Sequence, residues 1–254
     1  MSTSRLDGST ALVTGASRGI GEAVAVALAE AGARLLLVAR GEDGLAKVAA
    51  RVEALGAECS TLPLDVTDRD GASEAVAEWT EMAGPLDILV NNAGGNVRKN
   101  AEDYALDEWD MLLDLNLTAP FHWARLVHAG MKAQGFGRIV NVASVSGLVA
   151  LPTGAPYAAA KAGLIQLTKN LAREWGPHGI TVNAVAPWYV RTELTEPVLS
   201  DPAFLERVLA ATPSRRLGTP EDVAQAILFL CSAEASWING VCLPLDGGFV
   251  ASAF

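Results

Sequence analysis

Short apolar runs rich in β-branched residues alternate with amphipathic stretches along almost the whole chain, and this alternation limits the fold more than any other feature. Near-continuous apolar strands separated by helices are typical of a parallel sheet covered on both faces. The pattern therefore predicts an α/β protein with a doubly wound, parallel, seven-stranded sheet and helices on both faces. The predicted strands are residues 10–15, 34–39, 59–66, 86–93, 138–144, 181–187 and 240–247, and the clearest helical patterns are residues 19–31, 43–55, 107–134 and 157–175.

The 254-residue chain has no Pro/Gly/Ser-rich linker and no run of like charge that would divide it. We therefore expect one domain over residues 1–254, at the upper end of the size of a compact α/β domain. Residues 188–219 interrupt the alternation with short helical patches such as DPAFLERVLA (201–210). Insertions of this length are usually lids or binding loops, so this segment, called the flap below, is predicted to cover the substrate side.

Charge and composition exclude several classes of protein. The formal net charge of −10 argues against a nucleic-acid surface and against binding to an anionic membrane. The three cysteines form no CxxC pair, and the first residues lack the arrangement of a signal peptide, so we expect a cytoplasmic protein with reduced thiols. No apolar run approaches the roughly 18 residues of a membrane span. The three histidines lack the spacing of metal ligands, so no metal site is expected.

A glycine-rich turn follows the first predicted strand and opens a helix. Gly15, Gly19 and Gly21 in this turn have the spacing G-x-x-x-G-x-G. Glycines here let the chain turn tightly and bring backbone N–H groups to a pyrophosphate at the helix N-terminus. Such turns are common in strand-to-helix connections, but the position of this one favours a dinucleotide site that also includes Ser17, Arg18 and Ile20.

The second strand ends at Arg40, where an NAD-binding protein would place an acidic residue against the ribose 2′-hydroxyl. Arg18 lies within the glycine-rich turn, and two guanidiniums at this corner suit a 2′-phosphate. Two ordinary surface arginines are the alternative. The sequence therefore predicts NADP(H) as the cofactor in preference to NAD(H).

Small and polar residues follow the third and fourth strands. Asp65, followed by Val66, is placed to accept a hydrogen bond from an adenine amino group. Asn92, Ala93 and Gly94 would let the backbone lie against ribose and nicotinamide, while the asparagine ties neighbouring loops together. Ordinary turn chemistry explains each of these positions equally well when it is considered singly.

Tyr157 and Lys161 are two polar side chains in an alanine-rich helical segment. Their spacing of four residues puts both on one helix face, where a surface tyrosine packed on a lysine stem is the simpler explanation. Ser144 ends the fifth strand. Asn116 lies in an apolar helical segment, where its amide should have a specific partner because an unpaired buried amide is costly.

Together these residues resemble the short-chain dehydrogenase/reductase family from about residue 9 to residue 249. The resemblance rests on Thr14-Gly15-x-x-x-Gly19-Ile20-Gly21, on Asn91-Asn92-Ala93-Gly94, and on Asn116, Ser144, Tyr157 and Lys161. Residues 94–99, 170–192 and 245–249 are most similar to the tropinone reductase-like and gluconate dehydrogenase-like groups. One departure is visible: many members have Pro-Gly after the sixth strand, whereas this chain has Pro187-Trp188.

The resemblance implies a Rossmann-type fold and hydride transfer between the nicotinamide and a carbonyl or alcohol carbon. Tyr157 would exchange the proton, with its pKa lowered by Lys161 and by the oxidised nicotinamide, and Ser144 would bind the substrate oxygen. Asn116 would hold a water that links Lys161 to solvent, and Lys161 would also bind the nicotinamide ribose. Thr192 would contact the carboxamide side of the nicotinamide, and Pro187 and Val190 would complete the cofactor site.

The substrate pocket is expected to be mainly apolar and aromatic, and therefore to suit a compact, mostly apolar ketone or secondary alcohol. Arg98 and Lys99 are expected to be solvated loop residues at its rim, although a role in binding an anion is the alternative. The substrate residues are Gly95, Asn96, Ser144, Val145, Leu151, Tyr157, Trp188 and Tyr189, with the flap around residues 194–205.

Three other functions are compatible with these residues. An NAD-linked sugar or alcohol dehydrogenase is disfavoured by the two arginines. A 3-oxoacyl-thioester reductase would need a basic patch for an acidic carrier, which the acidic chain offers little of. A dinucleotide sensor without turnover would not need all four polar residues. The resemblance also implies a homotetramer that pairs the long helices at residues 107–134 and 157–175.

Overall fold

The computed structural model describes residues 6–252, so the domain predicted over residues 1–254 and the expectation about its N-terminus extend in part outside the described residues. The seven strands form one parallel sheet in the order β3-β2-β1-β4-β5-β6-β7. The predicted single-domain, doubly wound α/β sheet is thus confirmed. The strands are β1 (Thr10–Thr14), β2 (Arg34–Ala39), β3 (Cys59–Pro63), β4 (Ile88–Asn91), β5 (Gly137–Val142), β6 (Ile180–Pro187) and β7 (Cys242–Leu245).

Nine α-helices are present among the described residues, and six of them pack on the two faces of the sheet. They are α1 (Gly19–Glu30), α2 (Glu42–Ala54), α3 (Arg69–Ala83), α4 (Leu106–Leu113), α5 (Ala119–Gln134), α6 (Ala155–Trp175), α7 (Glu196–Leu199), α8 (Pro202–Ala211) and α9 (Pro220–Cys231). No helix within residues 6–252 combines the length and the apolar character that a bilayer crossing would demand.

The period-two alternation of the strands produces two cores, one on each face of the sheet. In β1, Ala11 and Val13 belong to the core that α1, α2 and α9 cover. Leu12, between them, belongs to the core that α3, α5 and α6 cover. Each central strand is therefore buried on both faces, which explains why its sequence is apolar without a break.

Most predicted elements have limits within two residues of the observed ones, and two elements differ more. The helical pattern at residues 107–134 is two α-helices joined by a π-helical turn at Asp114–Thr118. This turn contains one residue more than a regular α-helical turn. The strand predicted to reach residue 66 ends at Pro63. The chain turns there because Asp65 accepts hydrogen bonds from the backbone N–H and the hydroxyl of Thr67, at 3.0 and 2.7 Å.

The flap at residues 188–219 contains α7 and α8, and the second of these accounts for the predicted helical patch at residues 201–210. Its two ends are joined by a parallel bridge between Val190 and Gly218. The chain then enters α9 through a capping box, in which Thr219 and Asp222 bond each other's backbone N–H groups. The flap is therefore a loop with closed ends above the carboxyl edge of the sheet.

A chain of buried polar side chains joins the central strands to the helices behind them. The Asn91 amide donates to Asn141 Oδ1 at 2.9 Å and to the Pro120 carbonyl at 3.1 Å. The Asn141 amide donates to Thr168 Oγ1 at 2.9 Å, and Thr168 donates to the Leu164 carbonyl at 2.8 Å. These bonds fix β4, β5, α5 and α6 relative to one another.

We predict that Asn141→Ala lowers the free energy of unfolding by about 2–3 kcal/mol, because the amide of Asn91 and the hydroxyl of Thr168 each lose a buried partner. Urea denaturation of the purified protein measures the change. Asn170→Ala is the control: Asn170 is exposed on α6 and accepts one bond from Gln166, so its loss should change stability by less than about 0.5 kcal/mol. Equal effects of the two substitutions would contradict the structural role of Asn141.

Candidate active site

The glycine-rich turn between β1 and α1 has a backbone that only glycine allows. Gly15 and Gly19 have φ angles of +64° and +58°. A Cβ at Gly21 would lie 2.2 Å from the carbonyl oxygen of Gly15, so the turn and the first turn of α1 are in close backbone contact. No side chain caps the N-terminus of α1 within the described residues. Its N–H groups therefore remain available to an anion.

The turn after β4 is fastened to the glycine-rich turn. The Thr14 hydroxyl accepts hydrogen bonds from the backbone N–H groups of Asn92 and Ala93, at 3.0 and 3.1 Å. The Asn92 amide donates to the carbonyls of Thr14 and Gly15, at 2.9 and 3.1 Å. Asn92 thus positions two loops, as the sequence predicts for the asparagines of this turn. The sequence did not predict that the Thr14 hydroxyl would join the two turns, because a threonine at a strand end carries no distinctive signal.

The two arginines predicted to bind a 2′-phosphate each face a carboxylate. Arg18 forms an ion pair with Glu193 at 2.8 Å, and Arg40 lies 3.8 Å from Asp65. Hydrogen bonds from Thr67 and the charge of Arg40 outweigh partial burial and lower the pKa of Asp65. Asp65 is therefore ionised, and its carboxylate contacts Thr67 and Arg40. These pairings between distant segments were not predicted.

Val66 contributes its carbonyl to the protein core, because Trp123 Nε1 donates to it at 3.1 Å and the Val66 side chain is buried. The other predicted cofactor residues lie along the same edge of the sheet. Ser17 contacts the start of α2 near Gly44, Thr192 lies against Gly19, and Val190 and Pro187 are buried at the end of β6. Ile20 is half-buried at the start of α1.

Lys161 is a buried cation at the centre of the site, with 3% of its surface exposed. Its Nζ donates to the Val142 carbonyl at 2.8 Å and lies 5.5 Å from the centre of the Tyr157 ring. A Cβ at Gly94 would lie 3.4 Å from this Nζ, so the turn after β4 borders the same space. One turn of α6 therefore places the ammonium beside the phenol, as their spacing predicts.

Ser144 reaches the same phenol from the end of β5. Its hydroxyl accepts the N–H of Ser146 at 3.2 Å and hydrogen-bonds the Tyr157 hydroxyl. The short helical turn that follows Ser144 lies directly on α6. A Cβ at Gly147 would lie 2.8 Å from the backbone N of Ala162, so this contact requires glycine. Ser144, Tyr157 and Lys161 are thus brought together as the sequence predicts.

Burial sets the pKa values of both titratable groups. It lowers the pKa of Lys161 to about 7. It raises the pKa of Tyr157, and the hydrogen bond from Ser144 and the charge of Arg98 offset this only in part. The prediction that Lys161 lowers the pKa of Tyr157 is therefore wrong for the protein alone. With a pKa of about 7, Lys161 is uncharged at the pH at which a buried phenol loses its proton.

Asn116 lies in the π-helical turn and is fully buried. Its amide donates to the carbonyls of Leu112 and Gly95, both at 2.9 Å, and its Oδ1 accepts the N–H of Gly95 at 3.2 Å. The side-chain bond to Leu112 thus reaches back one turn, from the π-helical turn into α4. The Asn116 side chain therefore positions the turn at Gly94 and Gly95, and these contacts occupy its amide.

An aromatic cluster forms where the chain leaves β6 and enters the flap. Trp188 stacks on Phe249, with ring centres 3.8 Å apart, and donates to Thr212 Oγ1 at 3.1 Å. Tyr189 packs edge-on against both Trp188 and Phe204. Trp188, the departure from Pro-Gly, is thus held by the C-terminal segment and by the end of α8.

The expectation that Arg98 is only a solvated rim residue is wrong. Its guanidinium is exposed, but it hydrogen-bonds the Tyr189 hydroxyl at 2.9 Å and its charge acts on Tyr157. Lys99 does behave as a rim residue, since it forms an ion pair with Glu108 at 2.5 Å. The predicted substrate residues therefore have the guanidinium of Arg98 beside them, in addition to the buried Lys161.

Of the remaining substrate residues, Asn96 is the most informative. Its Oδ1 is buried and has no hydrogen-bond partner in the part of the chain that the structure describes. The Asn96 amide borders Gly154, at the start of the helix that carries Tyr157. Val145 is buried after Ser144 and Leu151 is half-buried, and neither has a polar contact with the site. Across residues 6–252, no group of three or more His, Cys, Asp and Glu side chains could hold a metal.

Comparison with known proteins agrees with this geometry. A family model described as enoyl-(acyl carrier protein) reductase matches residues 15–250. A tropinone reductase homolog of Arabidopsis thaliana is 41% identical over 250 residues, covering 98% of this chain and 95% of the relative. Gluconate 5-dehydrogenase of Gluconobacter oxydans is 41% identical over 247 residues, covering 97% and 96%. The crystal structure of a gluconate 5-dehydrogenase from Burkholderia cenocepacia in complex with NADP and tartrate is 38% identical, with a TM-score of 0.94 over 99% of this chain and 98% of that one.

We predict that the buried ammonium makes stability depend on pH. The pKa of Lys161 is about 7 in the folded protein and near 10.4 in an unfolded chain, so the unfolded chain binds more protons between these values. The free energy of unfolding should therefore rise with pH between these values. The raised pKa of Tyr157 affects the free energy of unfolding only above about pH 10, where an unfolded tyrosine loses its proton.

Lys161→Met removes this titration and keeps an unbranched side chain. The difference in unfolding free energy, wild type minus Lys161→Met, should increase by on the order of 2 kcal/mol from pH 7 to pH 9. Urea denaturation at several pH values measures it, and groups common to both proteins cancel. A difference that stays constant over this range would show that Lys161 titrates normally.

Proposed function

The chain belongs to the short-chain dehydrogenase/reductase family of oxidoreductases, and on this basis we propose that it transfers hydride between NADP(H) and the carbonyl or secondary alcohol of a small substrate. The observation that carries the proposal is the buried ammonium of Lys161 beside Tyr157, with Ser144 on the phenol. Burying a cation is costly, and the 2.8 Å bond to Val142 satisfies only one of its three donors within the described residues. A protein that only senses the dinucleotide would not need this group.

The residues present fit a dinucleotide. The backbone contact between Gly15 and Gly21 leaves no room for side chains, and the uncapped N-terminus of α1 suits a pyrophosphate. Gly94 is exposed beside Lys161, so the two unused donors of the ammonium are available to ribose hydroxyls. When bound, the dinucleotide supplies the hydride acceptor or donor and, in its oxidised form, a positive charge.

Each of the four polar residues has a distinct task. Ser144 donates to the substrate oxygen as negative charge develops on it. Tyr157 holds the proton that this oxygen takes up in reduction, and its raised pKa keeps the proton in place until then. Lys161 orients the ribose and returns a proton to the phenol.

Asn116 would hold the water of the proton path through its backbone carbonyl, since its amide is bonded to protein. Residue 120, where a regular helix would supply the N–H for this carbonyl, is a proline and has no N–H to give. The role that the family resemblance implies for Asn116 is therefore assigned in this proposal to its backbone carbonyl.

NADP(H) is proposed over NAD(H) because Arg18 and Arg40 flank the place where the second strand ends, and no acidic side chain occupies position 40. The NADP that names the Burkholderia structure is consistent with this choice. The carboxylates of Glu193 and Asp65 must then move away from these arginines when the 2′-phosphate binds.

For the substrate we propose a small ketone or secondary alcohol whose apolar part lies on Trp188 and Tyr189. A second candidate is a sugar acid, which Arg98 favours because its guanidinium has no carboxylate partner among the described ion pairs. The relatives named tropinone reductase homolog and gluconate 5-dehydrogenase correspond to these two types.

We further propose a homotetramer in the cytoplasm. The face formed by α4 and α5 exposes Leu106, Met111 and Phe121, which is more apolar surface than helices of a monomer usually leave uncovered. The three cysteines are free thiols, as a reducing compartment would keep them.

Tyr157→Phe tests the reaction. We expect turnover to fall by at least about 100-fold while NADPH binding stays within about twofold, because only the transferable proton is lost. Loss of NADPH absorbance measures turnover against bicyclic ketones, diketones, keto-sugar acids and acetoacetyl thioesters, and nucleotide fluorescence measures binding. Turnover that survives the substitution would refute Tyr157 as the acid, and the substrate that wild type reduces decides between the two substrate classes.

Arg40→Asp tests the cofactor. We expect NADPH to bind about 10–100-fold more weakly, because a guanidinium that binds phosphate is replaced by a charge that repels it. NADH should bind at least as well as before, since the new carboxylate can accept from the 2′-hydroxyl. Arg34→Asp makes the same charge change at the opposite end of β2 and is the control. An unchanged ratio of the two affinities would contradict the 2′-phosphate site.

A further inference from the structure

Glu193 connects the flap to the glycine-rich turn. Its Oε2 lies 2.8 Å from Nη1 of Arg18, a residue 175 positions earlier in the chain. Arg18 is the cation that the proposed function assigns to the 2′-phosphate. The carboxylate of Glu193 and the 2′-phosphate of the cofactor are therefore alternative partners of the same guanidinium.

The position of Glu193 is set by the backbone around it. The Thr195 hydroxyl donates to the Val190 carbonyl at 2.6 Å and accepts the N–H of Thr192 at 3.0 Å, which fixes the loop on both sides of Glu193. A Cβ at Gly19 would lie 3.3 Å from Cγ2 of Thr192, so this loop lies against the glycine-rich turn. Glu193 is thus held next to Arg18 even though both side chains are exposed.

We propose that Glu193 is a selectivity residue that weakens the binding of NADPH by competing with its 2′-phosphate for Arg18. This rests on the proposed function, in which Arg18 binds that phosphate. For NADPH to bind, the carboxylate has to release Arg18 or remain close to a second anion, and both cost free energy. NADH has no 2′-phosphate and leaves the ion pair intact, so Glu193 should not affect its affinity.

The expected effect is modest, because side-chain exposures of 63% for Arg18 and 69% for Glu193 indicate a solvent-screened pair. Glu193→Gln removes the charge and keeps the shape. It should tighten NADPH binding about threefold and leave NADH binding unchanged. The effect should grow at low ionic strength, where screening is weaker.

Nucleotide fluorescence titrations of the full chain with NADPH and NADH measure these affinities without any substrate. Glu196→Gln is the matched control, because Glu196 also lies in the flap and pairs with an arginine, Arg191, at 3.6 Å. The same charge change there should alter neither affinity. In an Arg18→Ala background, Glu193→Gln should lose its effect, since the shared partner is gone.

The outcomes separate the two proposals. If Arg18→Ala leaves NADPH binding unchanged, Arg18 does not bind the 2′-phosphate, and both that assignment and the role of Glu193 fail. If Arg18→Ala weakens NADPH but Glu193→Gln has no effect, the cofactor assignment stands and the role of Glu193 is refuted. If Glu193→Gln tightens NADPH and NADH equally, or if Glu196→Gln has the same effect, the net charge of the flap explains the result. Either outcome would also refute the proposed role of Glu193.

Discussion

The side chain of Lys161 is 3% exposed and has no carboxylate partner among residues 6–252, and much of the surrounding structure makes that burial tolerable. The Val142 carbonyl at the end of β5 accepts a hydrogen bond from it, and Gly94 places no side chain against Nζ, which a Cβ there would approach to 3.4 Å. The π turn at Asn116 holds the Gly94 segment in place by bonding its backbone from both directions. Burial lowers the pKa of Lys161 to about 7. The charged and uncharged forms of the side chain are therefore both populated near neutral pH.

This equilibrium changes the meaning of the Tyr157–Lys161 pair. A permanently charged lysine would favour the phenolate, whereas the structure has a phenol whose pKa burial raises. In the protein alone the proton therefore stays on Tyr157, which suits its proposed role as the acid that protonates an alkoxide. Proton loss from Tyr157, which oxidation of an alcohol requires, depends on positive charge brought to the site from outside the chain.

The sequence predicted the sheet, the glycine-rich turn and the meeting of Ser144, Tyr157 and Lys161 because local periodicity and the parallel topology determine them. Each central strand is buried on both faces, so its apolar run is easily recognised, and parallel strands bring their carboxyl ends to one edge. The π turn at Asp114–Thr118 could not be predicted, since it adds one residue to a helix whose apolar pattern continues on both sides. The ion pair of Arg18 with Glu193 joins segments far apart in the chain, and no local pattern records such a pairing.

The same reasoning explains why the family motif defines the reaction but leaves the substrate open. The proposed catalytic residues Ser144, Tyr157 and Lys161 lie just after β5 and on α6, where backbone geometry fixes them. The predicted substrate residues and their neighbours come from three separate segments: Arg98 after β4, Trp188 and Tyr189 after β6, and Phe249 near the C-terminus. These segments contact one another, because Trp188 is stacked on Phe249 and Tyr189 is bonded to Arg98. The surroundings of the predicted substrate residues thus depend on contacts between segments that lie far apart in the sequence, and a local motif does not determine such contacts, whereas the short spacing of Tyr157 and Lys161 on one helix does determine theirs.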